Sequence, residues 1–134
     1  MKNTGVRSTV VVGAGLAGLA AARRLAGAGC RVTVLDKGRG PGGRTACRVR
    51  SGFQYDHGAQ YFTVRSARFR ATVDAWRRSA VVAPWSPRLV AVDASGSQPK
   101  VEPRERLVGV PGMDAMAADL ARGLDVRPGV RVER

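Results

Sequence analysis

The sequence predicts an α/β protein organised around a parallel βαβ unit, and three observations carry that prediction. A β-branched run, Val10 to Val12, is followed at once by Gly13, Gly15 and Gly18. An alanine-rich segment without proline comes next, and a second β-branched run stops on Asp36. This is the order strand, tight turn, helix, strand, and the short crossover sets the two strands side by side and parallel.

Each glycine has its own task in a turn that receives a dinucleotide. Gly13 permits the sharp turn out of the strand, Gly15 lacks the Cβ that would block a pyrophosphate, and Gly18 lets the helix lie close to the sheet. The helix N-terminus offers free N–H groups and a partial positive charge to the same phosphates. Asp36 lies 18 residues past Gly18, near the spacing of about 20 at which an acid accepts hydrogen bonds from a ribose. That carboxylate would repel a 2′-phosphate, which argues against NADP.

The first helix is expected from about Leu16 to Ala28, with Leu16, Leu19, Ala20 and Leu25 facing the sheet and Arg23-Arg24 facing water. Val32 and Val34 alternate around Thr33 as in a strand. Four glycines and a proline within residues 37–43 make the next stretch a loop, whose backbone can approach a ligand. Gly42-Gly43-Arg44 closes it, and a guanidinium there can grip a diphosphate in a fork that lysine cannot match. Phe53 and Tyr55 alternate in a short strand, and Gly58-Ala59 marks a point where backbone can pass beside a flat ring. His57, a loop histidine without a nucleophile at matched spacing, reads as structural rather than catalytic.

Ser66 to Ala80 shows an amphipathic helix, with Phe69, Val73, Trp76 and Ala80 on one stripe and Arg70, Asp74 and Arg78 set for pairing on another. Pro84 and Pro87 predict a loop around Trp85. Leu89 to Asp93 and Arg106 to Val110 read as two strands of a hairpin-like insert, joined by the turn-rich stretch 94–103. Met113, Met116, Ala117 and Leu120 form a last helical stripe, with Gly123 as its C-cap signal. Leu124 to Val126 and Val130 to Val132 then read as strands around Pro128-Gly129.

The 134 residues allow one domain or part of a larger one. The charge is unusual: 23 basic against 10 acidic residues give +13, and 20 of the basic residues are arginine. Those arginines are scattered, and no nucleic-acid module is spelled out, so a basic nucleic-acid-binding protein stands only as an alternative reading. Cys30 and Cys47 are too few and too far apart for a zinc site or a redox pair, and a single histidine gives no His-based metal cluster. Lys2 and Arg7 before an apolar stretch ending near Cys30 mimic a secretion signal, but Arg23 and Arg24 interrupt its core and the glycines there have another task. With no run near 18 apolar residues, a cytoplasmic protein without membrane contact is expected.

The successive blocks GAGLAGLAAARRL, LDKGRGPGGRT, YDHGAQYFT and VGVPGMDAMAADLA resemble the FAD-dependent amine-oxidase superfamily, specifically its renalase-like bacterial branch. The set Arg39, Gly42, Gly43 and Arg44 after the acid is more specific than the first glycine motif, since nicotinamide dehydrogenases do not carry it. The resemblance implies FAD as cofactor, with Gly13, Ala14, Gly15, Leu16, Ala17, Gly18 and Arg44 holding the pyrophosphate and Asp36 the adenosine ribose. Lys37 and Gly43 are counted with them as cofactor-binding. Gln60 and Tyr61 would lie along the flavin ring, and Val132 would contact adenine through its backbone.

The fold expected on this basis is a Rossmann-like FAD-binding unit with the beginning of an inserted substrate domain. Residues 1–83 make the FAD-binding portion, 84–110 a partial substrate-domain hairpin and 111–134 a return to the FAD-binding domain. The expected function is a flavin oxidoreductase acting on a small molecule, in which the cofactor carries the chemistry and no catalytic side chain is assigned. By resemblance the substrates are aberrant reduced nicotinamide isomers, with amines also possible and oxygen or another acceptor taking the electrons. Family members carry a larger substrate domain and a C-terminal segment beyond Arg134, so a fragment is expected; a truncated, non-catalytic dinucleotide-binding remnant is the other alternative.

Overall fold

The computed structural model describes residues 7–99 and 103–133. Lys2 of the signal-like start and residues 100–102 of the turn-rich 94–103 stretch lie outside the described residues. Three parallel strands form the central sheet in the order β1 (Ser8–Val12), β2 (Arg31–Asp36) and β9 (Asp125–Pro128). Ser8 to Val12 run in register with Arg31 to Leu35, and Thr33 to Asp36 with Asp125 to Pro128. The parallel pairing follows from the crossover through α1 (Leu16–Gly27).

One face of α1 closes on this sheet. Leu19 and Ala22 are fully buried with Val32 and Val34 of β2 and Ala117 of α3 (Ala115–Ala121). Leu16 and Leu25 pack at the margin, whereas Ala20, expected to face the sheet, is exposed. At 100° per residue the stripe through Leu19 and Ala22 leaves position 20 on the far side. Arg23 is exposed, as expected, and makes a contact that the sequence does not signal. Its guanidinium reaches the end of α3, donating to the carbonyls of Leu120 at 2.8 Å, Asp119 at 3.0 Å and Arg122 at 3.2 Å. A cation there satisfies carbonyls that have no helical partner and opposes the negative end of the helix dipole.

The other face of the sheet carries Val10 and Val12, 60% and 65% exposed. Parallel sheets are ordinarily covered on both faces, so in this chain the apolar alternation of β1 is satisfied on one side only.

A second core is built by α2 (Ala67–Arg78), where Val73 and Trp76 pack with Val81, Val82, Leu107, Met113 and Met116. Leu16 and Leu120 touch both cores and join them. Ser66 caps α2 by accepting the Phe69 N–H at 3.2 Å, as its N-cap chemistry dictates. The Trp76 indole donates to Asp119 at 2.9 Å, tying α2 to α3. Ala80 lies beyond the helix at φ +56° and is exposed, so it leaves the expected apolar stripe.

The small strands differ most from expectation. β3 (Cys47–Arg50) pairs antiparallel with β4 (Phe53–Asp56) across a two-residue turn, with Ser51 and Gly52 both at positive φ. Such a turn matches the twist of a hairpin. Trp85, expected in a loop, closes β5 (Val82–Trp85), which pairs with β8 (Arg106–Gly109). Its Pro84 is tolerated because two-stranded ladders consist of edges. β6 (Val90–Asp93) pairs with β7 (Gly96–Pro99) and not with the 106–110 strand. Asp93 fixes that turn by accepting from the Ser95 backbone at 2.8 Å and hydroxyl at 2.5 Å, bonds that hold its carboxyl below the usual range. Val130 to Val132 is irregular rather than a strand, and it is anchored by the Gly129 N–H on Gly38 O and the Val130 N–H on Asp36 O.

Candidate dinucleotide site

At the end of β1 the chain turns at Gly13 with φ +103°, a conformation that favours glycine. Its N–H donates to Leu35 O at 2.7 Å, which clamps the turn to the end of β2. A Cβ on Gly18 would collide with the Gly13 carbonyl oxygen. Close approach of α1 to the turn therefore demands glycine at 18.

Asp36 closes the arrangement. One carboxylate oxygen accepts the Ala14 N–H and the other the Gly38 N–H, each at 2.6 Å. Both bonds are charge-assisted, and together they bind the end of β2 to the glycine turn.

The second glycine loop packs directly on the first. Gly42 donates to Ala14 O at 2.9 Å and pairs with Gly15 as a parallel bridge. Gly42 and Gly43 stand at φ +146° and +56°, and a Cβ on Gly43 would lie 3.1 Å from Gly15 Cα. Thr45, buried, donates its hydroxyl to Gly42 O at 2.9 Å and fixes the short turn Gly43–Thr45. The Arg44 carbonyl then receives the Ala59 N–H at 2.8 Å, and a Cβ on Gly58 would strike that carbonyl. Three separated blocks are thus stacked backbone against backbone.

These blocks border a cleft of about 1070 Å³, lined in part by Gly13, Asp36, Lys37, Gly43, His57 and Val132. Of the expected site residues, those five other than His57 meet in one place. Ala14 is buried behind them and Gly15 bridges to the second loop; Leu16 is half-buried at the helix start and Ala17 exposed beside it. Arg44 is exposed and stands outside the cleft lining, because its carbonyl is turned inward to Ala59. The cations that do line it are Lys37, Arg39, Arg48 and Arg131, facing the acids Asp36 and Asp114. Arg48 and Arg131 carried no sequence signal, since only pairing of β2 with β9 and folding of the β3–β4 hairpin bring them to this wall. Gln60 and Tyr61 are also exposed and lie outside the lining.

The residues fit the ADP half of a dinucleotide. No side chain caps the N-terminus of α1, and no acid occupies its first turn, which leaves N–H groups suited to a phosphate. The space beside Gly13 is open, with no atom within 4 Å of the place a Cβ would take. The cleft volume is that of a small-molecule site, and four cations on its wall suit a diphosphate. Among the described residues no group of three or more His, Cys, Asp or Glu is set to hold a metal, and no helix is long and apolar enough to cross a membrane.

Cys47, on the same wall, donates its thiol to Asp56 at 2.6 Å and accepts the Asp114 N–H at 3.4 Å. Desolvation and the bond to Asp56 push the thiol up to about 12 from 9.0. Since the thiolate is the nucleophile, Cys47 is expected to resist iodoacetamide at pH 9 until the chain is denatured, as peptide mass spectrometry would show. The stability consequence has a definite sign. Between the unfolded and folded values the unfolded chain has lost a proton that the folded chain keeps, so this contribution is complete below pH 9 and is lost towards pH 12.

Residues 11–76 match the family model of an NAD(P)-binding Rossmann-like domain. Residues 11–76 therefore carry a Rossmann-like α/β domain. More particularly, parts of the chain are similar to a phytoene dehydrogenase, a phytoene desaturase and a putrescine oxidase. Phytoene dehydrogenase of Streptomyces griseus is 52% identical over 59 residues, which are 44% of this chain and 12% of that protein. A neurosporene-forming phytoene desaturase of Rhodobacter capsulatus is 48% identical over 64 residues, covering 47% and 12%. Among solved structures, putrescine oxidase bound to putrescine superposes with a TM-score of 0.54 at 25% identity, over 72% of this chain and 22% of that one. The chain spans about an eighth of the length of the curated relatives it matches.

Proposed function

We propose that the chain is the cofactor-gripping part of a flavin oxidoreductase of the renalase-like branch, holding the ADP half of FAD in the cleft beside Asp36. The observation that carries this reading is the lock between the two glycine loops, in which Gly42 bonds Ala14 and Gly15 bridges Gly42. The lock puts the ribose-binding acid, the uncapped helix start and the cationic wall around one space.

Each group has a definite task. Asp36 orients the ribose, the start of α1 and Arg39 neutralise the diphosphate, and the 130–132 backbone borders the adenine. FAD held there would supply two-electron acceptor chemistry for a reduced substrate, with oxygen or another acceptor taking the electrons. No nucleophile or metal is needed for that chemistry. The substrate is a reduced nicotinamide isomer or, failing that, an amine; the putrescine oxidase likeness supports the amine class, and the family resemblance of the sequence motifs supports the nicotinamide class.

Purified chain reconstituted with FAD is expected to keep flavin absorbance through gel filtration. Arg39→Ala should lower retention about tenfold, the worth of one charge-assisted contact, and more than either Arg44→Ala outside the cleft lining or Arg78→Ala on α2. Equal retention in all three variants would count against the assignment. Anaerobic bleaching of the flavin by a dihydronicotinamide separates an enzyme from a non-catalytic remnant.

A further inference from the structure

The β3–β4 hairpin has two unlike faces. Residues opposite each other across an antiparallel pair project to the same side, and the register sets Cys47 against Asp56, Arg48 against Tyr55 and Arg50 against Phe53. The Cys47 side packs inward: its thiol bonds Asp56, and Asp56 in turn accepts the Met113 N–H at 3.1 Å. The other side is open to solvent. Phe53 and Tyr55 are 67% and 53% exposed there, and Arg48 and Arg50 are exposed beside them. Among the described residues no hydrogen bond or ion pair holds either guanidinium. Asp56 is the hairpin's one acid and lies on the inner side, so no carboxylate on the outer face offsets the two cations.

We infer that this outer face is a sequence-independent docking surface for single-stranded nucleic acid. Its two rows match the two sides of such a strand: the rings of β4 serve the bases and the guanidinium groups of β3 the phosphates, with the rows about 5 Å apart. Along β4 the two rings are offset by two residues, about 7 Å, which is twice the rise of about 3.4 Å between stacked bases. One base can therefore enter between them. Ring faces accept any base, and the cationic row releases counterions from the phosphates. The net charge of +13 adds attraction at longer range. A duplex, whose bases are already stacked on one another, can use only the cationic row. An acidic membrane fits less well, because the tip that would enter it is Arg50-Ser51-Gly52, with no apolar side chain. The surface does not depend on the flavin reading: Arg48 also lines the cleft, but Arg50, Phe53 and Tyr55 do not.

The test is fluorescence anisotropy of a labelled oligothymidylate of about 12 nucleotides, within the site sizes that such surfaces cover, titrated with the purified chain at several salt concentrations. The same strand annealed to its complement is the second probe, and vesicles of equal parts phosphatidylserine and phosphatidylcholine are the third. Phe53→Ala and Tyr55→Ala should each weaken single-strand binding about fivefold or more, the worth of one stacked base, and leave duplex binding unchanged. Arg50→Gln should lower the slope of log affinity against log salt by about 0.7, one phosphate contact fewer. Arg78→Gln on α2, an equal change in charge, should leave that slope as it is. All the side chains replaced are exposed, and circular dichroism checks that each variant folds; a ring variant that does not is replaced by its leucine counterpart, which keeps apolar bulk without a π-face. A parent chain that binds no strand overturns the inference, and so does binding that survives both ring substitutions. Slopes that fall equally in Arg50→Gln and Arg78→Gln, or capture of vesicles by a chain that ignores the strand, would overturn it as well. FAD retention should be unchanged in the ring variants, so a loss of strand binding with flavin kept reports on this surface alone.

Discussion

Gly18→Val is expected to abolish cofactor retention and to destabilise the chain by at least about 3 kcal/mol, the upper part of the range for overpacking a close-packed site. A Cβ at this position would run into the Gly13 carbonyl oxygen and lie 3.5 Å from a Val11 methyl. The obstacle is backbone, so no rotamer change relieves it. The start of α1 would have to lift from the turn, and with it would go the packing of Leu19 and Ala22 against Val32 and Val34. Urea unfolding and FAD retention measured together would show both losses. Gly27→Ala at the other end of the same helix, where a Cβ meets open space, is the matched control and should be neutral or slightly stabilising.

Gly43→Val should separate the cofactor site from the fold. Residue 43 is at φ +56°, and its Cβ would press on Gly15 Cα from 3.1 Å. A β-branched residue there carries the left-handed backbone cost of about 1–2 kcal/mol and pushes the two glycine loops apart. The buried clusters do not include residue 43, so the chain is expected to fold while losing FAD by a hundredfold or more, roughly the worth of two charge-assisted contacts. Circular dichroism and flavin titration check the two halves of that statement. Retained affinity in a folded Gly43→Val chain would mean that the loops do not act together.

Legibility of the fold in the sequence tracked the range of the interactions. The βαβ unit was readable because its signals are local: β-branched runs, glycine spacing and an alanine-rich helix fall within 28 residues, from Thr9 to Asp36. The β3–β4 hairpin was hidden, since Cys47 to Val49 follow a run of glycines and read as an extension of the loop, although Ser51-Gly52 is a turn signal. The partners of β5, β6 and β8 were likewise out of reach. Pairing of Trp85 with Arg106 joins residues 21 apart, and periodicity says nothing about which short strand takes which edge. Arg23 illustrates the same limit: it reads as a solvated face residue, and its three carbonyl partners on α3 lie nearly 100 residues away.

The site divides along the same line. Asp36 and the glycines were legible because dinucleotide chemistry prescribes their spacing. Arg44 was given the diphosphate on sequence proximity, yet the cleft wall is furnished by Lys37, Arg39, Arg48 and Arg131. Side-chain direction in an irregular loop depends on backbone angles such as those of Gly42 and Gly43, which composition does not prescribe.

The central claim is that two glycine loops and one carboxylate grip a single ADP moiety, and calorimetric titration of ADP into the purified chain addresses it without flavin chemistry. One site per chain is expected, with affinity falling about a hundredfold in Asp36→Ala, which loses a ribose acceptor and both turn-fixing bonds. ADP that fails to bind, or that binds folded Asp36→Ala as tightly as the parent chain, would contradict the account.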